Sequence, residues 1–388
     1  MTLATMWNYN ARHWNHIFFK GFLMNFIRVL FVLVFLSVFG VCFGQATVNP
    51  VTVSPVLDNT LLAKAGLEYA WQGNIALGVN ESVAQMWLVE GNLYVITSSN
   101  YMYCFDRAEG ISKFGIQAAS SGLPVFRPEI VDGKLMQVAA NMIVEIDPNI
   151  GTVFGEYNPG FTSVNRAVRQ ADNLFMLSAD GKIYAVNYED KIPRYKVAAD
   201  DGSPITSIVA MNGSAVFATE SGIVSSFNIS RRTEDWKFKA RGGITADLAS
   251  SGEYVYVSSK DTNVYKLWIY DGSVQWTFWS GGTLTESARV GEKVVYQYVK
   301  YKGLYCIDAA DGSQIWLEPK GVDILTERND KAYIFTSDRM LEVMDNVSKK
   351  PIKSVNFSPV DKYVINSDDG KLYIADGTGK IACLKISE

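Results

Sequence analysis

The sequence is poor in histidine, the residue that carries much of enzyme chemistry. Among 388 residues there are only two histidines, and both, His13 and His16, precede its single long apolar run. Histidine triads, histidine general bases and histidine metal sites are therefore not expected in the body of the chain. With 48% hydrophobic and 20% charged residues, the composition predicts a globular protein and neither a disordered nor a polytopic membrane chain.

Cysteine is also scarce. Apart from Cys42, which lies in the apolar run, only Cys104, Cys306 and Cys383 occur, and no Cys-x-x-Cys motif is present. Zinc and iron–sulfur sites therefore lack ligands, and we expect neither a metal nor a cofactor. The three cysteines occupy one equivalent place in the repeat described below, which indicates small apolar residues of a strand.

The apolar run spans residues 29–43, too short to cross a bilayer and suited to a secretory signal. Residues 1–46 are predicted to be this leader, with Met24 as the expected true start, and residues 47–63 a linker. Cleavage, lipidation at Cys42 and retention as an anchor all stay open. Val41 and Phe39 stand where a lipidation motif has a small residue and a leucine.

A basic stripe for nucleic acid is not expected. The leader holds Arg12, Lys20 and Arg28 and no acid, so in the remainder acidic residues outnumber basic ones by seven. We expect an exported, periplasmic or outer-membrane-associated protein that touches the membrane only through its leader or a lipid anchor.

A phrase of the form Gly-x-Leu-Tyr, followed by a β-rich run, recurs at intervals of 39 to 42 residues. Its first residues are Gly91, Gly133, Asp172, Gly213, Gly252, Gly291, Asp330 and Gly370. Eight copies of about 40 residues with alternating apolar and polar positions predict an all-β, eight-bladed β-propeller over residues 64–388.

Most copies end in a strand with an aromatic residue at a matched position. These residues are Phe114, Tyr195, Trp236, Trp276 and Trp316, and Trp71 occupies the same position near the amino terminus. We expect each of them to dock its blade against the next. Copies two and seven depart from the pattern, with Phe154 slightly out of register and Lys353 in place of an aromatic.

The eighth copy lacks this last strand, and Gly66 to Trp71 resembles the missing piece. The residues from Leu67 to Trp71 are therefore predicted to pair with those from Lys380 to Ile386. Such a pairing closes the ring and removes its exposed sheet edges.

The stretch from Ile307 to Trp316, Ile-Asp-Ala-Ala-Asp-Gly-Ser-Gln-Ile-Trp, resembles the docking motif of the quinoprotein-dehydrogenase-like propellers. The resemblance covers residues 64–388 and implies the propeller fold. One branch of that superfamily is enzymatic and holds PQQ with calcium beside a vicinal disulfide, but no Cys-Cys pair occurs here. The other branch, the BamB-type scaffolds of outer-membrane protein assembly, is similar in blade number and in ring closure.

The leading hypothesis is a non-catalytic, monomeric propeller that serves as a protein-interaction scaffold in the bacterial envelope, with a barrel-assembly component as the expected partner. A PQQ-dependent or other small-molecule-binding enzyme and a surface adhesion or glycan-binding module are the alternatives. Trp268 and Trp279 lie off the docking position and are candidates for an interaction surface. Residues 118–128, 158–165 and 198–204 are the longer links where recognition is expected.

Overall fold

The computed structural model describes residues 55–211 and 213–387, and this part of the chain contains thirty-two strands and one short helix, α1 (Asn59–Ala65). The strands form eight four-stranded antiparallel sheets, which are the blades of a β-propeller. The predicted eight-bladed, all-β fold is confirmed. The predicted leader, with Met24, Cys42, His13 and His16, lies outside the described residues.

In blades 1 to 7 the four strands follow one another along the chain, from the innermost strand at the central channel to the outermost strand. The strands are β2 (Val83–Val89), β3 (Asn92–Thr97), β4 (Tyr101–Asp106) and β5 (Ser112–Gln117) in blade 1; β6 (Glu129–Val131), β7 (Lys134–Ala139), β8 (Met142–Ile146) and β9 (Val153–Tyr157) in blade 2; β10 (Val168–Gln170), β11 (Asn173–Leu177), β12 (Ile183–Asn187) and β13 (Pro193–Val197) in blade 3; β14 (Ile205–Met211), β15 (Ser214–Thr219), β16 (Ile223–Asn228) and β17 (Thr233–Lys239) in blade 4; β18 (Ala249–Ser251), β19 (Tyr254–Ser258), β20 (Asn263–Trp268) and β21 (Val274–Trp279) in blade 5; β22 (Arg289–Val290), β23 (Val294–Val299), β24 (Gly303–Asp308) and β25 (Gln314–Glu318) in blade 6; and β26 (Gly321–Arg328), β27 (Lys331–Thr336), β28 (Met340–Asp345) and β29 (Lys350–Asn356) in blade 7.

Blade 8 is built from both ends of the described chain. Strands β30 (Val360–Val364), β31 (Leu372–Asp376) and β32 (Lys380–Ile386) come from the carboxy-terminal side, and β1 (Leu67–Asn74) supplies the outermost strand. Strand β1 runs antiparallel to β32, from Leu67 opposite Ile386 to Asn74 opposite Lys380. The predicted closure of the ring by the amino-terminal strand is confirmed.

All eight outer strands carry the same irregularity. The register between the third and the outermost strand shifts by one residue beside the docking position, as between Tyr69 and Trp71 in blade 8 or at Cys306 and Ile307 in blade 6. Such a β-bulge bends the outer strand and increases its twist.

The hydrophobic core lies between the blades. Eight buried apolar clusters correspond to the eight blade interfaces, and each draws residues from two neighbouring blades; Trp316 and Cys306 of blade 6, for example, share a cluster with Ile334 and Met344 of blade 7. A single blade exposes two apolar sheet faces, so the ring is needed to bury them.

The helix α1 begins within the segment expected to be a linker, residues 47–63, and ends two residues beyond it at Ala65. Asp58 caps its first turn by accepting a hydrogen bond from the Thr60 amide at 2.7 Å, and Gly66 ends it in the left-handed conformation. Its buried residues Leu62 and Ala65 pack against blades 7 and 8. This helix was not expected from the sequence, because seven residues are too few to show a helical period.

The ring has two faces that differ in their connections. The connection face carries the links between blades at residues 118–128, 158–167, 198–204, 240–248 and 280–288, together with the hairpin between the second and third strand of each blade. The turn face carries the turns between the first and second strands and those between the third and fourth strands.

Candidate functional site

The four docking tryptophans make the same contact with the following blade. Their indole Nε1–H groups donate to a group in the turn before its outermost strand. The acceptors and distances are the Arg107 carbonyl for Trp71 (3.0 Å), the Ile269 carbonyl for Trp236 (2.7 Å), the Ala309 carbonyl for Trp276 (3.1 Å) and the Asn346 side-chain oxygen for Trp316 (2.7 Å). Each indole is therefore buried with its one polar atom bonded.

A glycine in the same turn lets three of these rings, and that of Phe114, approach the backbone. Gly110, Gly151, Gly272 and Gly312 have positive φ, and a β-carbon at any of them would collide with the docking ring of the preceding blade. At Gly312, for instance, that carbon would lie 2.8 Å from the Trp276 ring. Glycine satisfies both the left-handed backbone and the close approach.

In blades 3, 4 and 7 a cation stands at this turn position, which is glycine in blades 1, 2, 5 and 6. In blade 4 it is Arg232, whose guanidinium lies 4.8 Å from the ring of the half-buried Tyr195. In blade 2 the docking position holds Gly155, opposite Glu145, and Lys191 of blade 3 bonds Glu145 at 2.7 Å. Phe154 is the outward-facing neighbour of Gly155 and is 53% exposed.

The three cysteines lie on the third strand directly opposite a buried tyrosine of the second strand: Cys104 opposite Tyr94, Cys306 opposite Tyr296 and Cys383 opposite Tyr373. All three are free and fully buried. Burial raises the pKa of Cys104 to about 12 and that of Cys383 to about 11. They are protonated thiols in the packing, without nucleophilic character.

The central channel contains a cavity of about 660 Å³. Its lining comes from blades 1, 2, 3, 5, 6 and 8 and mixes apolar side chains with charged ones: Met86, Trp87, Phe126, Tyr363, Arg127, Arg166, Arg289, Asp247 and Asp368. This volume and mixed lining are of the kind that holds a small molecule or a side chain of a partner.

The arginines of the channel differ in the groups that balance their positive charge. Arg127 donates to the Leu88 carbonyl at 3.0 Å and lies 3.8 Å from a Glu129 oxygen. Burial and the neighbouring charge of Arg166 lower the pKa of Arg127, while burial raises the pKa of Glu129. Arg289 lies 3.4 Å from Asp323, whose pKa is also raised by burial. The hydrogen bond from Arg127 to Leu88 joins blade 2 to blade 1, and the Arg289–Asp323 pair joins blade 6 to blade 7.

The loop of blade 8 between β30 and β31 lies across the turn-face end of the channel. The Asn366 amide donates to the Leu325 carbonyl of blade 7 at 2.9 Å, and Arg107 of blade 1 pairs with Asp369 at 3.1 Å. Ile365, Asn366 and their neighbours line the cavity from below. The loop thus ties blades 7, 8 and 1 together beside the closing strand.

Polar side chains also bond one another across the channel. Asp247 accepts a hydrogen bond from Asn165 at 3.0 Å, across from blade 5 to blade 3. Between residues 55 and 387, position 212 aside, no group of three or more His, Cys, Asp or Glu side chains is placed to hold a metal ion. The same residues include no helix that is long and apolar enough to cross a membrane.

The two off-position tryptophans lie apart. Trp279 pairs with Asn263 at one end of blade 5, whereas Trp268 pairs with Tyr254 at the other end. Five residues of extended strand separate the two positions, roughly 16 Å. Trp279 is 73% exposed on the connection face, while Trp268 is half-buried and packs edge-on against Tyr270. The structure does not bring them into one surface.

The three long links lie together on the connection face. Asn100 fixes the first by donating to the Ser120 and Leu123 carbonyls, both at 2.8 Å. In the third link, Asp201 accepts from Ser203 and Ser221, and these hydrogen bonds lower its pKa to about 2. Asp200 pairs with Lys237 at 2.7 Å. Both carboxylates are thus engaged by neighbouring side chains, in a turn of the Gly-Ser type in which short polar residues are common.

Sequence reasoning did not find the channel residues. Arg127, Arg166 and Asp247 lie in links or at strand starts with no motif around them, and only the closed ring places them side by side. The inner strands that carry the neighbouring residues are short, two residues in β22 and three in β18, and show no alternation. Their one signal is position, shortly before each repeat begins.

Comparison with known proteins identifies the repeat. The family model described as outer membrane protein assembly factor BamB matches residues 69–278, more than half of the chain. The crystal structure of BamB from Moraxella catarrhalis superposes with a TM-score of 0.62 at 12% sequence identity, covering 82% of this chain and 97% of that one.

A computationally designed protein, Ika8, has the same fold, with a TM-score of 0.62 and 13% identity over 81% of this chain and 98% of its own. Among curated proteins, none matches this sequence. The structural likenesses at such identities establish the fold, and the family match is a separate finding on the sequence. With its eight blades, its docking aromatics and that match, the chain belongs to the BamB family of PQQ-like β-propellers.

Proposed function

We propose that this protein is a non-catalytic, exported scaffold that binds protein partners in the bacterial cell envelope and takes part in outer-membrane protein assembly. The observation that carries the proposal is the match of the BamB family model to residues 69–278. The leader predicted at residues 1–46 supports export. The proposed partner is a component of the barrel-assembly machinery.

The connection face is the proposed docking surface. Its links at residues 118–128, 158–167 and 198–204 are longer than the two-residue turns that join the first and second strands on the turn face in blades 1 to 3. Loops held on a rigid scaffold are where recognition residues concentrate. Leu123 is 38% exposed and Val164 is 47% exposed on these links, which gives the face apolar contacts beside its charged turns.

A non-catalytic role is part of the proposal. The carboxylates that could serve as acids or bases on this face, Asp200 and Asp201, are bound to Lys237 and to serine hydroxyls. The buried thiols of Cys104 and Cys383 have raised pKa values. Both observations support binding as the task of this surface.

Photo-crosslinking in cells tests the proposal by face. A crosslinking amino acid is placed at Ser121 and Asp200 on the connection face, and at Ile150 and Val347, which are 66% and 74% exposed on the turn face. Mass spectrometry then identifies the captured proteins. We expect a barrel-assembly protein from the two connection-face positions and none from the two controls. Empty captures at all four positions, or capture from the turn face alone, would contradict the proposal.

A further inference from the structure

Blades 4 to 6 present a group of cations without carboxylate partners. Arg241, Lys260, Lys300 and Lys302 form no ion pair within residues 55–211 and 213–387. The nearby Asp261 is engaged by the Tyr265 hydroxyl at 2.8 Å and by the Arg241 backbone amide at 2.9 Å. The hairpin of blade 4 on the same face carries the exposed Glu220, which forms none of the described ion pairs, in a chain whose formal net charge is −4.

The segments that carry these cations form one continuous surface. The Lys260 amide donates to the Gly243 carbonyl at 2.9 Å, which joins the blade 5 hairpin to the link from blade 4, and the Ser280 amide donates to the Thr262 carbonyl at 2.9 Å within blade 5. The Lys302 ammonium donates to the Ser280 carbonyl at 3.0 Å and joins blade 5 to blade 6. All of these groups belong to hairpin tips and strand ends on the connection face.

Two strongly exposed aromatic residues stand among the cations. Trp279 is 73% exposed and Tyr301, at the tip of its hairpin, is 93% exposed. The Lys302 ammonium lies 5.8 Å from the Trp279 ring centre, and that of Lys300 lies 5.1 Å from the Tyr301 ring centre. Each aromatic ring is thus displayed beside a lysine.

This chemistry fits the surface of an anionic bilayer. Tryptophan and tyrosine favour the headgroup region, where one end of the ring is apolar and the other is hydrated. Three of the four cations are lysines, which act as point charges toward a diffuse negative surface, whereas specific recognition of one carboxylate or phosphate favours the arginine fork. The groups sit on two hairpin tips, a strand end and a link, and five of the six side chains are exposed, so a broad surface can meet them together.

We propose that the basic-aromatic face, formed by Arg241, Lys260, Trp279, Lys300, Tyr301 and Lys302, binds the headgroup region of an anionic lipid bilayer. This contact is made by the folded ring itself and is separate from any attachment through residues 1–46. It goes beyond the proposed scaffold function, because it needs no protein partner.

Site-specific fluorescence separates this contact from attachment by the leader. In the full chain with Cys42→Ser, an environment-sensitive NBD dye is attached to Tyr301→Cys on the basic-aromatic face or to Val347→Cys on the turn face. The native thiols are fully buried and stay unlabelled in the folded protein. Vesicles of phosphatidylcholine with a quarter phosphatidylglycerol are compared with pure phosphatidylcholine vesicles.

We expect at least a twofold rise in emission at position 301 with the anionic vesicles, and no rise at position 347. Adding salt to 1 M should reverse the rise at position 301, because the Debye length then falls to about 3 Å and the lysine charges are screened. The double variant Lys300→Gln, Lys302→Gln should lower the affinity for anionic vesicles, measured with the dye at position 301, about 25-fold, or roughly fivefold for each cation removed. The control variant Lys300→Arg, Lys302→Arg keeps both charges and should retain the affinity.

Three outcomes would overturn the proposal. They are an equal response at positions 301 and 347, an equal response to neutral and anionic vesicles, and an affinity unchanged by the double glutamine variant. Circular dichroism of each variant verifies the fold. Failure of the crosslinking experiment leaves this result unaffected, since purified protein and lipid are its only components. If position 301 captures an acidic protein in cells and ignores lipid, the surface serves a protein partner and the bilayer assignment is wrong.

Discussion

A docking tryptophan contributes an apolar ring and a hydrogen-bond donor at the same place. Trp316 is 4% exposed, shares a buried cluster with blade 7 and donates to Asn346 at 2.7 Å. Trp279, the last residue of the outermost strand of blade 5, is 73% exposed. Comparing the two residues therefore shows how much stability comes from burying a tryptophan, since an exposed tryptophan serves as the reference.

Replacing Trp316 by alanine should lower the free energy of unfolding by about 3 to 5 kcal/mol, because the variant leaves a cavity and removes the indole hydrogen bond to the Asn346 oxygen. Trp279→Ala is the matched control, with an expected change within about 0.5 kcal/mol. Urea denaturation followed by circular dichroism measures both. Equal losses in the two variants would show that Trp316 has no special part in joining the blades.

The ion pair of Glu145 and Lys191 replaces an aromatic contact between blades 2 and 3. The Glu145 carboxylate and the Lys191 ammonium lie 2.7 Å apart and their side chains are 6% and 3% exposed. Burial acts to raise the pKa of Glu145, but the hydrogen bond and charge of Lys191 outweigh it and the net shift is downward. Such a carboxyl stabilises the fold above its unfolded pKa, about 4.3, and this stabilisation is lost as the pH falls through the lower native pKa.

Glu145→Gln should therefore cost about 3 kcal/mol at pH 7, since it leaves the Lys191 ammonium buried without a counter-charge. The difference from the wild-type protein should shrink as the pH falls below about 4, where the native carboxyl becomes protonated. Lys134 is a more exposed partner of Glu145, and its ammonium lies 3.5 Å from the carboxylate. Lys134→Gln should therefore change the free energy of unfolding by less than about 1 kcal/mol. Unfolding curves from pH 7 to pH 3 give both results; a pH-independent difference for Glu145→Gln would contradict this account.

At the scale of the element, the turn before each outermost strand is matched to the docking residue of the preceding blade. Gly312 admits the Trp276 ring, whereas Arg232 covers Tyr195 and Lys191 reaches Glu145 beside Gly155. Lys353, in blade 7, reaches Gly66 at the end of α1 instead. Neighbouring blades thus differ in chemistry while they keep one geometry, including the bulge beside the docking position.

Two glycines with nearly equal φ differ in whether a side chain at that position would meet a docking ring, so comparing them measures the cost of that contact alone. Gly312 has φ of 77° and faces the Trp276 ring, while Gly133 has φ of 75° and no atom within 4 Å of the place a β-carbon would take. Gly133→Ala should cost about 1 to 2 kcal/mol for the left-handed backbone alone. Gly312→Ala should cost about 1 to 3 kcal/mol more, through the displaced indole. Thermal unfolding of the two variants measures this; equal melting temperatures would mean that the ring shifts freely.

At the scale of the whole molecule, the ring depends on a strand from the other end of the chain. Deletion of residues 64–72 should lower stability severely, because it removes most of β1 and exposes β32 as a free edge. Fusing residues 55–74 behind residue 388 through a flexible linker should restore stability in the deletion variant. An unchanged melting temperature after the deletion, or no recovery in the fusion, would refute closure as a source of stability.

The sequence predicts the architecture well because the repeat period, the docking aromatics and the Leu67 to Trp71 segment are all local patterns. The channel is different: Arg127, Arg166 and Asp247 meet only when the blades close, and no spacing in the chain encodes that meeting. The contrast between Trp268 and Trp279 has a similar origin, since their separation follows from the strand register of blade 5. Patterns within a blade can be read along the chain, whereas groups that meet across the ring require the fold.

The closing strand also sets the order in which the molecule can form. Leu67 and Ile386 pair across more than 300 residues, while the strands of each other blade pair with close neighbours in sequence. Seven blades can therefore assemble from nearby segments, but the eighth must wait until both of its segments are in place, and contacts between distant segments form slowly. During that interval the unpaired edge can accept a strand from a second molecule, so the rate at which the two ends meet decides between a closed monomer and a strand-swapped pair.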